Sequence, residues 1–225
     1  MGISSINTHL DFYPLLSPSG MPIIKGIEQV IEGMKLIVYE PKKIKEIDMS
    51  SGIYCINGFT DDVRINCLWS RPIESARTIK RIGIAITPDF TLDSTWPDPI
   101  NRFQTYRSRW VGAFWESKGI NVIPSVNWCD SKSFEYCFEG ILPNRVVAIT
   151  TNTVFDADFW SFHLGLRKMI DFLHPSQILV VGCKFPELEL EFGNLIKRYK
   201  SQLRLGDRFY SAEEYLCIKK QLLLA

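Results

Sequence analysis

Residues 82–126 read IGIAITPDFTLDSTWPDPINRFQTYRSRWVGAFWESKGINVIPSV, and this stretch decides the fold class. Ile82–Ile86 is a continuous apolar run ended by Thr87-Pro88-Asp89. Asp98–Lys118 carries Phe103, Tyr106, Trp110 and Phe114 at helical spacing, and Gly119 stands where a left-handed C-terminal cap belongs. Asn121–Val126 follows as a second short strand. Short strands that are apolar on both faces, joined through a helix, are what a parallel sheet covered by helices requires.

The same alternation continues on both sides. Toward the C-terminus, Ser133–Phe138 suits a short helix and Arg145–Thr150 (RVVAIT) a buried strand. Asp156 can cap a helix with Phe159, Phe162, Leu166, Met169, Ile170 and Leu173 on one face, ended by His174-Pro175. Ile178–Val181 is a further strand closed by Gly182, and Leu188, Phe192, Leu195, Ile196 and Tyr199 mark a helix after it. Toward the N-terminus, Lys35–Tyr39 (KLIVY) and Gly52–Asn57 (GIYCIN) read as strands, and Ile73–Lys80 as a helix opened by Pro72. The expected organisation is an irregular lead-in over 1–34, an α/β domain over 35–205 and a C-terminal helix over 206–225. In that last helix Ser211 and Glu214 stand in capping-box register. It could dock on the core or join two copies of the chain. The fold class is a single α/β domain, a mostly parallel sheet flanked by helices, either open or resembling a partial barrel.

Composition narrows the function. Hydrophobic residues make up 46% and charged residues 23%, the balance of a folded globular chain. The 26 basic and 25 acidic side chains give a net charge of +1. A protein that coats nucleic acid through phosphate contacts carries a basic surplus, so that role is disfavoured. The six cysteines form no C-x-x-C pair, and His9, His163 and His174 complete no zinc spacing. No stretch approaches the ~20 apolar residues a membrane helix needs, and no basic-then-apolar leader opens the chain. The expectation is a cytoplasmic, reduced protein without membrane contact.

In parallel α/β sheets ligands bind outside the carboxyl ends of the strands. The residues after successive strands are Asp61-Asp62, Thr87-Pro88-Asp89, Asn127-Trp128-Cys129-Asp130, Thr150-Thr151-Asn152-Thr153 and Gly182-Cys183-Lys184. On this reading Asp62, Asp89 and Asp130 are the candidate acid–base or metal-binding groups, with a divalent cation as the cofactor such carboxylates would take. Arg107, Asn127, Trp128, Thr151 and Asn152 are the candidate ligand contacts. The competing reading is that Asp, Asn and Thr simply cap helices and make turns.

A second candidate lies on the long helix, where Arg102 and Arg109, seven apart, could grip phosphates beside aromatic rings. The bland alternative is an aromatic core stripe with solvated or paired arginines. Arg107 should be partly buried and want a carboxylate, with Asp89 or Asp62 to supply it. Pro88-Asp89 with Glu116-Ser117-Lys118 imitates a metal-dependent nuclease motif. That chemistry needs the second element on a strand beside the aspartate, whereas Glu116 falls in the last turn of a helix. No phosphate-binding glycine loop and no nucleophile elbow is present.

Thr87-Pro88-Asp89-Phe90, Asn101…Thr105-Tyr106-Arg107…Gly112…Trp115 and Gly119–Trp128 together resemble an uncharacterised family known as a domain of unknown function, number 4417. The similarity continues through Phe134-Glu135…Cys137-Phe138-Glu139-Gly140 and Pro175…Ile178-Leu179-Val180…Gly182, and includes Asp61-Asp62 with Trp69. It covers roughly residues 50–185. The resemblance implies a phage, plasmid or bacterial setting, hence the cytoplasm of a bacterial host, and supplies no reaction.

Three functional readings remain open at this level. The first is a protein that binds or processes a nucleotide-like or other small polar ligand at the strand ends, a hydrolase among the options. The second handles nucleic acid for a mobile element. The third is a non-catalytic phage protein that binds a host protein.

Overall fold

The computed structural model describes residue 12, residues 14–154 and 158–200, and the backbone of residues 202–205 and 208–211. Its centre is a run of parallel strands laid side by side in chain order. β1 (Lys35–Val38), β2 (Tyr54–Gly58), β3 (Ile84–Pro88) and β4 (Asn121–Ile123) form one ladder. β5 (Val146–Thr150), β6 (Gln177–Val181) and β7 (Ile196–Tyr199) form a second. The two are stitched just past β4, where the Ala148 amide donates to the Pro124 carbonyl (2.9 Å) and the Val126 amide to the Ala148 carbonyl (2.8 Å).

Sequential parallel order has a consequence. Right-handed crossovers between neighbours taken in order put every connecting helix on the same face of the sheet. The core divides accordingly. Ile37, Ile56, Ala85 and Val122 pack under α1 (Pro41–Glu46), α2 (Asp62–Ser70), α3 (Pro72–Lys80) and α4 (Asp98–Ser117). Val147, Ile149, Ile178 and Val180 pack under α5 (Phe159–Leu173) and α6 (Pro186–Phe192). The alternate strand residues Leu36, Cys55, Ile84, Ile86, Ile123, Val146, Ala148, Leu179 and Val181 form a third cluster with Tyr199, Ile27, Val30 and Met34. Strand residues and the lead-in fill that cluster without a helix, so the sheet curls around its own side chains. Tyr199 on β7 senses Cys55 on β2 across this concave face. The sheet curves, and among the described residues it does not close into a barrel.

The lead-in is more structured than its composition suggests. Ile24 is fully buried and pairs with Ile141, and the Ile27 carbonyl accepts from the Val146 amide. The carboxylate of Glu116 accepts from the backbone amides of Lys25 (2.9 Å) and Gly26 (2.8 Å). Glu116 therefore anchors the lead-in to the end of α4, a role unrelated to metal-dependent cleavage.

The expected fold class is observed, with local corrections. Short helices α1 and α2 occur where no helix was expected, and Ser133–Glu135 makes only a single 3-10 turn. The expected helix through Tyr199 ends at Phe192, because Gly193-Asn194 breaks it, and Ile196–Tyr199 pairs with β6. β8 (Gln202–Leu205) and β9 (Arg208–Ser211) form an antiparallel pair, so Ser211 stands in a strand instead of capping a helix. The rest of the expected C-terminal helix, with Glu214, lies outside the described residues, as does Asp156. Among the described residues no helix is long and apolar enough to cross a membrane.

Candidate functional site

The sheet opens where β3 and β4 end. As far as Ile86 and Ile123 the two strands run in register. Beyond that point the Ser125 amide donates to the Thr87 side-chain Oγ1 (2.8 Å), and a cluster of hydroxyls takes over from the backbone ladder. Thr87 and Ser125 hydroxyls lie 2.9 Å apart, and the Ser108 hydroxyl from α4 donates to Thr87 at 3.2 Å. Side chains thus wedge the strands apart and leave a crevice at the carboxyl edge.

A cavity of about 260 Å³ occupies that edge. β2 contributes Phe59, Thr60 and Asp61 from its end, and β3 contributes Asp89, Thr91 and Leu92. The chain after β4 supplies Val126, Asn127 and Trp128, the end of β5 supplies Thr150, Asn152, Thr153 and Val154, and α5 supplies Phe162. Asn127 holds two of these loops together by donating its amide to the Phe90 carbonyl at 2.8 Å. Trp128 stacks on Phe162, with ring centroids 5.2 Å apart. Its indole also lies against Gly165, where a Cβ would come within 2.1 Å of the ring nitrogen.

Asp89 is the chemically distinctive member. Its Oδ1 is enclosed and has no hydrogen-bond partner. Burial first, and the neighbouring Asp62 second, push its carboxyl up to about 7, with Arg109 pulling the other way. A carboxyl so placed is able to give or accept a proton near neutrality.

Arg109 is itself wholly buried. It donates to the carbonyls of Glu139 (2.9 Å), Ser125 (3.0 Å) and Cys137 (2.6 Å). Burial pulls its pKa down to about 10, while Cys137 and Asp89 act in the opposite sense. These three carbonyls come from the loops that follow β4, so Arg109 fixes the backbone behind the cavity.

The structure sorts the expected site residues. Asp89, Asn127, Trp128 and Asn152 meet in the cavity wall. Thr151 turns away and donates its hydroxyl to the Cys183 carbonyl (2.8 Å), tying the ends of β5 and β6 together. Asp62 accepts from the Thr91 amide (3.1 Å) and hydroxyl (2.9 Å), which supports the loop after β3 from outside the cavity. Asp130 accepts from the Ser133 amide at 2.9 Å, the turn-forming role that the competing reading assigns it. Arg107 stacks on Phe90, 3.8 Å from its ring centre, and donates to Gln104 and Asn66. It is a half-buried clamp between α4, α2 and the Phe90 loop.

Among the described residues no three Asp, Glu, His or Cys side chains converge as a cation site would require. The phosphate-gripping pair on α4 is likewise not formed. Arg109 is enclosed, and Arg102 is engaged by Asp98 (2.6 Å) and Glu135 (3.1 Å). Helical spacing identifies a shared face but not which face is covered, and the 126–140 loops cover this one.

Several wall residues escaped the sequence reading. Thr60 and Thr91 lie just beyond β2 and β3 and follow the same strand-end rule one or two residues later. Phe162 falls by its spacing on the apolar face of its helix, and nothing local in the sequence directs it toward Trp128.

Fold and site together define a class: a parallel α/β domain with strands in chain order and a polar cavity at their carboxyl edge. The chain belongs to the family described as a domain of unknown function (DUF4417), which matches residues 13–200. It is 39% identical over 126 residues to a Gene 1 protein of Mycobacterium phage L5, covering 55% of each chain. It is 36% identical over 126 residues to a Gene 1 protein of Mycobacterium phage D29, covering 55% of this chain and 47% of the relative. The chain thus aligns with about half the length of the curated relatives it matches. No solved structure matches it.

Proposed function

We propose that the protein binds a small polar molecule in the cavity at the strand ends, with Asp89 as its principal polar contact and proton-exchanging group. One observation carries this reading. Asp89 keeps an enclosed carboxyl oxygen without a partner at the wall of a cavity. Native proteins seldom leave a buried polar atom unsatisfied, because doing so costs about 1–3 kcal/mol. A ligand that draws the Asp89 carboxyl toward the cavity supplies the missing partner. The position agrees with where parallel sheets of this kind bind ligands, and the altered carboxyl agrees with how acid–base groups are prepared. The cavity of about 260 Å³ suits a metabolite-sized ligand better than a large cofactor, since pockets for drug-sized molecules begin at ~300 Å³.

The test is a thermal-shift and calorimetric screen of sugars, amino acids, nucleosides and nucleotides against the wild type, Asp89→Ala and Asp130→Ala. A ligand of this cavity loses at least tenfold in affinity with Asp89→Ala and binds Asp130→Ala as it binds the wild type. Ligands that bind all three proteins equally, or a screen without any binder, would count against the reading.

A further inference from the structure

The charges around the cavity say more about what fits there, on the assumption that the cavity is a ligand site. Its wall contains two carboxyl groups, Asp61 and Asp89, and no Lys, Arg or His among the described residues. Arg64 reaches Asp61 at 3.7 Å without itself lining the space. Arg109, the cation that Asp89 senses, is enclosed by backbone carbonyls and is not part of the wall. Among the described residues, a phosphate in this cavity would meet two acidic groups and no cationic side chain, and the α2 N-terminus at its edge opens on the carboxylates of Asp61 and Asp62. Phosphate sites are built the other way, from cations, helix N-termini or glycine-rich loops.

What the wall offers instead is a hydrogen-bonding carboxyl, the Thr60 hydroxyl, and the aromatic surface of Trp128 and Phe162, whereas the Thr150 hydroxyl is engaged by the Val181 carbonyl and the Asn152 amide. The carboxyl group of Asp89, whose Oδ1 has no partner within the protein, is complementary to an N–H donor beside a basic nitrogen, as on an amidine edge, because a carboxyl group can pair with both at once. We infer that the ligand is an unphosphorylated nitrogen base of nucleobase or nucleoside size, held through its amidine-type edge by Asp89 beside the Trp128–Phe162 wall. This narrows the nucleotide-like expectation: a phosphate tail is selected against.

The experiment compares adenosine, cytidine, their 5′-monophosphates and free ribose by isothermal titration on the full chain, with Asp89→Ala in parallel. The expected result is binding of at least one nucleoside, with the matching monophosphate at least tenfold weaker, no heat from ribose, and loss of nucleoside binding in Asp89→Ala, which removes both the acceptor and the acidic proton. A monophosphate that binds as tightly as its nucleoside overturns the inference, as does binding of ribose alone. Both outcomes leave the cavity reading intact if Asp89→Ala abolishes them. Nucleoside binding that is unchanged in Asp89→Ala overturns the inference and the cavity reading together. Silence from both nucleosides overturns the inference, and the broader screen then decides the cavity reading alone.

Discussion

Asp89, the centre of the proposed ligand site, also bears on stability. Its carboxyl titrates near 7 in the folded protein, against ~3.9 in an unfolded chain. Below about pH 4 both states hold the proton and the group has no effect on stability. As pH rises from about 4 to 7 the unfolded chain releases its proton while the folded one keeps it, so the folded state loses stability across that window. Above 7 the loss is complete, and a displacement of this size corresponds to something on the order of 4 kcal/mol. Asparagine cannot ionise. Asp89→Asn should therefore match the wild type in urea denaturation near pH 4, and become the more stable protein by a few kcal/mol at pH 7.5. A stability difference that does not change with pH would mean that Asp89 is not held in this state. Such an arrangement, costly to the fold at neutral pH, is typical of a residue kept for function.

At the scale of elements, the site depends on how closely α5 approaches the chain after β4. Gly165 permits that approach, since any Cβ there would lie 2.1–2.5 Å from three atoms of the Trp128 indole. Gly165→Ala should displace Trp128, destabilise the protein by about 1–3 kcal/mol through overpacking, and quench or shift the tryptophan emission. An unchanged emission spectrum and melting temperature would show that α5 does not set the Trp128 position. Gly112 plays the corresponding part on α4, where a Cβ would come within 2.6 Å of both Ile24 and Thr87. The helix can then lie close to β3 and to the lead-in together. On its outer side α5 exposes Trp160, Leu164 and Phe172, so its sequence is more apolar than its own packing uses.

For the molecule as a whole, the open question in a strand-ordered parallel sheet is what fills the concave face. Here the lead-in does much of it, with Ile27, Val30 and Met34 joining the strand residues and Glu116 holding the Lys25–Gly26 backbone. Glu116→Ala leaves those two amides without their acceptor. The expected cost is about 1–3 kcal/mol, with faster hydrogen exchange concentrated in residues 14–34 and the strands beneath them. Exchange that accelerates evenly over the whole chain, or not at all, would contradict this anchoring role.

The alternation of apolar runs and helical stripes was enough to establish a parallel α/β domain, because strand and helix periodicities are local properties of the chain. The strand-end rule names Asp89, Asn127, Trp128 and Asn152, which line the cavity, and equally Asp62, Thr151 and Asp130, which do not, because the same residue types make turns and caps whether or not they face a cavity. Only tertiary packing separates the two roles. It wedges β3 from β4 with Thr87, Ser108 and Ser125, encloses Arg109 beneath loops distant in sequence, and leaves Asp89 with an unpaired oxygen. Burial and hydrogen-bond satisfaction are sums over neighbours remote along the chain. The 82–126 unit therefore contains the strand, the helix and the aspartate, while the chemistry of that aspartate depends on the groups folded against it.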